Sequence, residues 1–244
     1  MKLLVALLSM TLLCTNIQAQ NDAEKEYFDL LMMYLDGDYE KLFKKADKYM
    51  DNDKTRKDPL PYLYAAMGYY EVRNNEDLAP EYPNALKESL KLATKFKRYD
   101  RKNEYGEEGD EFLAKLRTEI KGEALNQFNE GKESKAVYYL KQLLRLDEQD
   151  YSVTYFQMYL AASEGDIYTT NELRGTFGQQ IAQVQDWSKE PNDKRNFLRQ
   201  AMLLHAKYQK EKGRSDAAIK TIKELESYVG PSEETTNMLK TLKP

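Results

Sequence analysis

The sequence has 244 residues, of which 41% are hydrophobic and 32% are charged, and its formal net charge at pH 7 is −4. This length suits one domain or one continuous array, and the scarcity of glycine and proline favours helices over strands. A nucleic-acid-binding surface usually needs an excess of basic residues, which this composition lacks, so no nucleic-acid partner is expected.

The first 19 residues predict a cleaved signal peptide. Lys2 is followed by a mostly apolar run from Leu3 to Leu13, which is too short to span a bilayer, and Ala19 is a small residue at a plausible cleavage site. We therefore expect an exported bacterial protein, periplasmic or at the cell surface, whose residues 20–244 form a single helical domain. No later apolar stretch approaches a membrane span, although peripheral association with a membrane stays open.

Cys14 is the only cysteine, and it lies within the predicted signal peptide. Cleavage after Ala19 would remove every thiol from the mature chain, which excludes disulfides, thiolate zinc sites and cysteine nucleophiles. The alternative is a lipid anchor at Cys14, because this cysteine follows an apolar core as in a bacterial lipoprotein signal. Leu13 stands where such signals normally have a small residue, so lipidation is the less favoured interpretation.

Four later segments share one apolar pattern, with positions i, i+1, i+4 and i+7 on one helix face. In three of them the pattern begins five positions after a glycine, namely Gly37, Gly131 and Gly213. A glycine that closes a helix can adopt the left-handed conformation and let the chain reverse, which predicts a hairpin of two helices. The four faces comprise Leu42, Phe43, Ala46, Tyr49 and Met50; Ala85, Leu86, Ser89, Leu92 and Ala93; Ala136, Val137, Leu140, Leu143 and Leu144; and Ala218, Ile219, Ile222 and Leu225.

An amphipathic segment precedes each of these three glycines: Tyr27 to Leu35, Phe112 to Phe128, and Phe197 to Tyr208. Each such segment is a candidate first helix of a hairpin. After Gly165 the apolar face shifts to Leu173, Phe177, Ile181 and Val184, and Gly175 and Gly178 loosen the predicted helix.

The chain resembles the tetratricopeptide repeat (TPR), a helix-turn-helix unit of 34 residues. The clearest match runs from Ala124 through Phe128 and Gly131 to Ala136, and Gly131 and Gly165 stand 34 residues apart. The resemblance implies an all-α fold, a right-handed superhelical stack (α-solenoid) of about five antiparallel helical hairpins. A short C-terminal helix after Pro231, with Met238 and Leu242 on one face, would cover the end of the stack.

No residue pattern announces catalysis, so the chain is not expected to be an enzyme or to hold a metal or cofactor. His205 is the only histidine and has no nucleophile or metal-ligand motif beside it, so we interpret it as a helix residue near the packed face. The acidic run from Glu107 to Glu111 is interpreted as a solvated helix start. Asp51 and Asp53 begin a sequence that lacks the glycine and the final acid of a calcium loop.

In TPR proteins the first helix of each hairpin lines a concave groove, which implies a non-catalytic scaffold that binds a peptide or helix of a protein partner in an envelope complex. The alternatives are a glycan-binding accessory protein, since tyrosine faces stack on sugars, and an assembly factor similar to helical-repeat outer-membrane lipoproteins. Each groove residue could instead pack between neighbouring helices. The implied groove-lining residues are Tyr27, Tyr34, Met67, Tyr70, Lys121, Phe128, Tyr155 and Tyr159.

Overall fold

A computed structural model describes residues 27–242, apart from the side chains of Glu107 and Glu108. Every regular element in this range is helical, which confirms the all-α class. None of these helices is both long enough and apolar enough to cross a membrane. The predicted signal peptide, residues 1–19 with Cys14, lies outside the described residues. The helices are α1 (Phe28–Leu35), α2 (Tyr39–Asp51), α3 (Pro59–Asn74), α4 (Ala85–Tyr99), α5 (Gly106–Asn129), α6 (Glu133–Leu146), α7 (Tyr151–Glu164), α8 (Ile167–Ile181), α9 (Asn192–Glu211), α10 (Ser215–Val229) and α11 (Glu233–Leu242), with a 3-10 turn at Ala79–Glu81.

Tertiary contacts divide the chain into two compact units, with the boundary between Leu116 and Arg117. The expectation of a single domain over residues 20–244 stays a prediction, as does the superhelical stack of five hairpins.

Unit 1 is built around α3, which contacts α1, α2 and α4. Its residues from Leu60 to Ala66 are all buried, as expected of a helix that is apolar nearly all round and surrounded by others. Gly68 lets α2 approach closely, because a Cβ atom there would lie 2.7 Å from Cδ2 of Leu42. Phe43 of α2 stacks on Tyr69 of α3 with 3.9 Å between the ring centres.

Unit 2 is built around α7, which contacts α6, α8 and α9. From Tyr151 to Ala161 every residue of α7 is buried except Gln157, which is partly buried. The helix α9 also packs on α10, and α10 contacts α11. The interior of this unit is therefore a layer of side chains from α7 and α9.

The predicted turn glycines adopt the left-handed conformation, with φ of +73° at Gly37, +72° at Gly131 and +72° at Gly213. After α5 the N–H of Gly131 donates to the carbonyl of Phe128 at 2.9 Å, and the N–H of Lys132 donates to Gln127 at 2.8 Å. These two bonds form a Schellman motif, which satisfies carbonyls at the helix end. The prediction of glycine-closed helices is confirmed at these positions.

The last helix, α11, covers an apolar cluster of α9 and α10, and its role as the cap of a helical stack stays a prediction. Leu242 is buried with Ala206, Ala218 and Ile222, and Met238 packs against the same cluster. Its start is capped by Ser232, whose Oγ accepts from the N–H of Thr235 at 3.2 Å.

Candidate binding groove

Three adjoining cavities follow one face of α9 in unit 2, and together we name them the α9 groove. The first has a volume of about 230 Å³, the second about 510 Å³ and the third about 530 Å³. Leu125 and Gln200 line both of the first two cavities, while Lys207 and Met238 line both of the last two. Because neighbouring cavities share lining residues, they form one continuous depression bounded by α5, α9 and α11.

The spacing of the lining residues follows from helix geometry. In the middle cavity α9 contributes Gln200, Leu203, Leu204 and Lys207, at the i, i+3, i+4, i+7 spacing of a single helix face. The opposite face of α9 is buried in the unit by Leu198, Ala201, Met202 and Ala206.

The middle cavity combines an apolar floor with polar edges. Leu125, Leu203 and Leu204 are only partly buried, so their side chains retain apolar surface. The amide side chains of Asn126, Asn129 and Gln200 are exposed and line the same cavity. An amide both donates and accepts hydrogen bonds, so these three can pair with the N–H and C=O groups of a peptide backbone.

A buried group of ions lies beside the first cavity. The Nζ atom of Lys121 on α5 lies 2.8 Å from Oδ2 of Asp150 and 2.8 Å from Oδ2 of Asp193. The side chains of Lys121 and Asp150 are only 3% and 1% exposed, and Asp193 is 11% exposed. The same Nζ faces the ring of Phe197, 5.6 Å from its centre. A charge enclosed this far from water needs its partner, so the three side chains hold α5, the start of α7 and the start of α9 together.

Asp150 also caps α7, because its Oδ1 accepts from the N–H groups of Ser152 at 3.1 Å and Val153 at 3.3 Å. Burial alone would raise the pKa of Asp150, but the facing ammonium of Lys121 and the Ser152 hydroxyl hold this pKa below its ordinary value. Asp150 is therefore ionised at neutral pH.

A second lysine extends this group of charges. Nζ of Lys194 lies 2.7 Å from Oδ2 of Asp147 and 5.8 Å from the ring centre of Tyr151. The two lysines thus face three aspartates, and one negative charge is left in excess.

His205 of α9 belongs to a hydrogen-bonded chain in the interior of unit 2. Its Nδ1 lies 2.8 Å from the hydroxyl of Tyr155, and its Nε2 lies 3.0 Å from Nε2 of Gln209. Thr221 donates to Oε1 of Gln209 at 3.0 Å, which turns the Gln209 amide nitrogen toward the ring as a donor. We therefore assign the imidazole proton to Nδ1. Burial lowers the pKa of His205 to about 4, so the ring is neutral at pH 7 and has both nitrogens satisfied.

The only tryptophan of the chain belongs to an aromatic group between α8 and α9. Trp187 stacks on Tyr228 with 5.0 Å between ring centres, and it meets Tyr151 edge-on at 5.3 Å. Burial raises the pKa of Tyr228 above its ordinary value, and the nearby Glu224 carboxylate acts in the same direction.

No family model, no curated protein and no solved structure matches this chain. Between residues 27 and 242, no three acidic, histidine or cysteine side chains converge on a possible metal position.

The structure brings only one predicted groove residue of unit 2 to the α9 groove. Lys121 lines the first cavity, although its ammonium is held by the two aspartates. Tyr155 and Tyr159 are each only 4% exposed, and both pack against His205. Phe128 packs edge-on against Phe156 at 5.4 Å. The tyrosines are core residues of this structure, which is the alternative that the sequence left open.

The predicted groove residues of unit 1 lie on α3 and around α1. Tyr27 is 2% exposed, and its hydroxyl donates to Asp58 at 2.6 Å. Tyr34, Met67 and Tyr70 are partly buried, and Tyr70 meets Phe112 edge-on at 5.9 Å. A groove role for these three partly buried residues stays a prediction.

Sequence reasoning missed the α9 side of the groove. The sequence pattern predicts a first helix from Phe197 to Tyr208, but it assigns no groove role to Asp193, Gln200 or Lys207. The available signal was the second face of this helix, on which Gln200, Leu203, Leu204 and Lys207 recur at helical spacing.

Proposed function

We propose that unit 2 binds a segment of another protein in the α9 groove, and that the chain acts as a non-catalytic interaction scaffold in a bacterial cell envelope. The observation that carries this proposal is the continuous depression along α9, with its apolar floor and its exposed amide edges. Its two larger cavities fall within the range of roughly 300–1,000 Å³ that is usual for binding sites.

The chemistry of the lining favours a polypeptide over a small molecule. A peptide offers alternating apolar side chains and backbone hydrogen-bonding groups, which complement the leucines and the amides of the middle cavity. The depression also continues over three cavities, so it suits an elongated occupant.

The proposed architecture is a TPR-like solenoid, in which the first helices of the hairpins line one surface. The helices α5 and α9 both correspond to first helices in the sequence pattern, and they form the two long walls of the α9 groove. This agreement supports the extension of the repeat to the whole mature chain, with about five hairpins and α11 as the terminal cap.

Photocrosslinking in cells would test the binding function. A photoreactive residue at Asn126 or at Gln200 places the probe within the α9 groove, and both positions are exposed. The matched control is Lys223 on α10, which is also exposed. We expect a protein crosslink from the two groove positions and none from the control. Equal crosslinking from all three positions would contradict the proposal, and attachment to glycan alone would favour the glycan-binding alternative.

Export is part of the proposal and has its own test. Mass spectrometry of the mature N-terminus should find a chain that begins at Gln20. A lipid-modified Cys14 at the N-terminus would instead place the protein among anchored assembly factors.

A further inference from the structure

We propose that the α9 groove selects a partner segment that carries a lysine or arginine, and that this basic side chain enters the first cavity beside Asp193. This inference rests on the proposed binding function and adds the chemistry of the occupant.

The first argument is the charge balance around the cavity. Lys121 serves both Asp150 and Asp193, while Lys194 pairs with Asp147. One aspartate therefore lacks a full positive counter-charge. Buried charges of one sign are costly unless an opposite charge approaches them, so the site favours an added cation.

The excess charge is accessible at Asp193. Asp150 is enclosed, with 1% of its side chain exposed, whereas Asp193 is 11% exposed and lines the first cavity. Asp193 lies in the first turn of α9, at the end of the helix where the N–H groups point outward. A cation from the groove would therefore meet Asp193 first.

The rest of the lining suits a long basic side chain. Leu125 at the junction with the middle cavity offers apolar surface, on which the methylene stem of lysine or arginine can pack. Thr118, Asn196 and Gln200 carry oxygen acceptors around the same cavity. A guanidinium or ammonium group has several donors and can use more than one of these acceptors.

An acidic side chain would be disfavoured at the same place. Its carboxylate would approach Asp193 and Asp150, and Lys121, which pairs with both of them, is already shared by these two aspartates. Like charges brought together in a partly buried site oppose binding. The cavity therefore discriminates by charge as well as by shape.

Selection from a display library of random peptides on the full mature chain would test this inference. We expect enrichment of peptides that combine a lysine or arginine with apolar residues. Replacement of that basic residue by glutamine in a selected peptide should weaken binding about tenfold, as measured by titration calorimetry.

Three variants of the protein separate the possible outcomes. Asp193→Asn should abolish the basic preference while apolar peptides still bind. Gln200→Lys places a cation in the same cavity without altering the buried ion pairs, so it should also abolish the preference for basic peptides, even if Asp193→Asn does not fold. Gln179→Lys is the matched control, because Gln179 is exposed on α8 outside the groove, and it should leave the preference unchanged.

Leu203→Asp, in the floor of the middle cavity, reports on the proposed function itself. If the selected peptides lose binding to this variant but show no preference for lysine or arginine, the inference is overturned and the binding function remains. If no peptide depends on Leu203, both the inference and the binding function fail.

Discussion

The two units fill their interiors in different ways. Tyrosines aside, unit 1 buries only Ser89 and Asp100 as polar side chains among the described residues, and its centre is formed by aromatic rings and aliphatic groups around α3. Unit 2 buries a lysine, an aspartate, five hydroxyl side chains and one amide. The buried polar residues of unit 2 are Lys121, Asp150, Ser152, Thr154, Thr170, Gln180, Thr221 and Thr235.

This difference shows two ways of fixing helix positions. In unit 1 the helices fit by shape, as where Gly68 admits the side chains of α2. In unit 2 the ion pairs of Lys121 with Asp150 and Asp193 join α5 to the starts of α7 and α9, so charge pairing adds to apolar packing in holding these helices. Directional pairs specify one arrangement where apolar contacts alone tolerate several, and the walls of the α9 groove are the helices joined in this way.

The largest expected effect is on the buried ions of unit 2. Lys121→Met should leave Asp150 and Asp193 enclosed without a cation and lower the free energy of unfolding by about 3–5 kcal/mol. Urea unfolding of the full chain at neutral pH, followed by circular dichroism, measures this loss. The matched control adds Asp150→Asn and Asp193→Asn to the same chain, and it should recover much of the stability. If the single variant lost less than about 1 kcal/mol, the buried ion pairs would not be important for the stability of unit 2, and the two units would not differ in this respect.

The next effect concerns His205 and pH. The folded pKa of about 4 lies below the ordinary value of 6.5, so the unfolded chain binds the extra proton between these pH values. The free energy of unfolding should therefore fall as pH is lowered through this window, by about 3 kcal/mol in total from this group.

Two measurements check the His205 prediction. Because the chain has a single histidine, one imidazole resonance in a proton NMR titration of the untagged protein reports its pKa directly. In the His205→Gln variant this contribution is absent, so the stability difference from the parent should narrow as pH falls. A measured pKa near 6.5 would show that water reaches the His205 ring and that the ring is not enclosed in the interior of unit 2.

A smaller effect is expected for shape packing in unit 1. Gly68→Ala places a methyl group 2.7 Å from Cδ2 of Leu42 and 3.0 Å from Cε1 of Phe43. Both side chains are buried, so they have little room to move, and the strain exceeds the gain in helix propensity. We expect a net loss of about 1–2 kcal/mol in unfolding free energy. A gain in stability would mean that α2 and α3 can separate at low cost.

The smallest effect has the opposite sign. Gly175 is exposed in the interior of α8, and a Cβ atom there would meet nothing within 4 Å. Gly175→Ala should raise the free energy of unfolding by about 0.5–1 kcal/mol, because alanine favours the helix. Urea unfolding of this variant in parallel with Gly68→Ala compares an unpacked glycine with a packed one. If both substitutions were destabilising, Gly175 would not be the unpacked helix position that the structure shows.

Local features of the fold were predictable from the sequence, whereas the groove was largely not. The helix faces and the left-handed glycines depend on spacing within one segment, so Gly37, Gly131 and Gly213 could be placed in advance. The pair of Lys121 and Asp193 joins positions 72 residues apart, and no local pattern records such a pairing. For the same reason the tyrosines on α7 could be assigned to a helix, but not to the core or to a surface.

Trp187 makes the two units distinguishable by intrinsic fluorescence. The only tryptophan of the chain lies in unit 2, stacked on Tyr228. Its emission spectrum therefore reports the unfolding of unit 2. Circular dichroism of the whole chain, in contrast, averages the helices of both units. If the two signals change at different urea concentrations, the units unfold as separate cooperative blocks, and coincident transitions would mean that they unfold together.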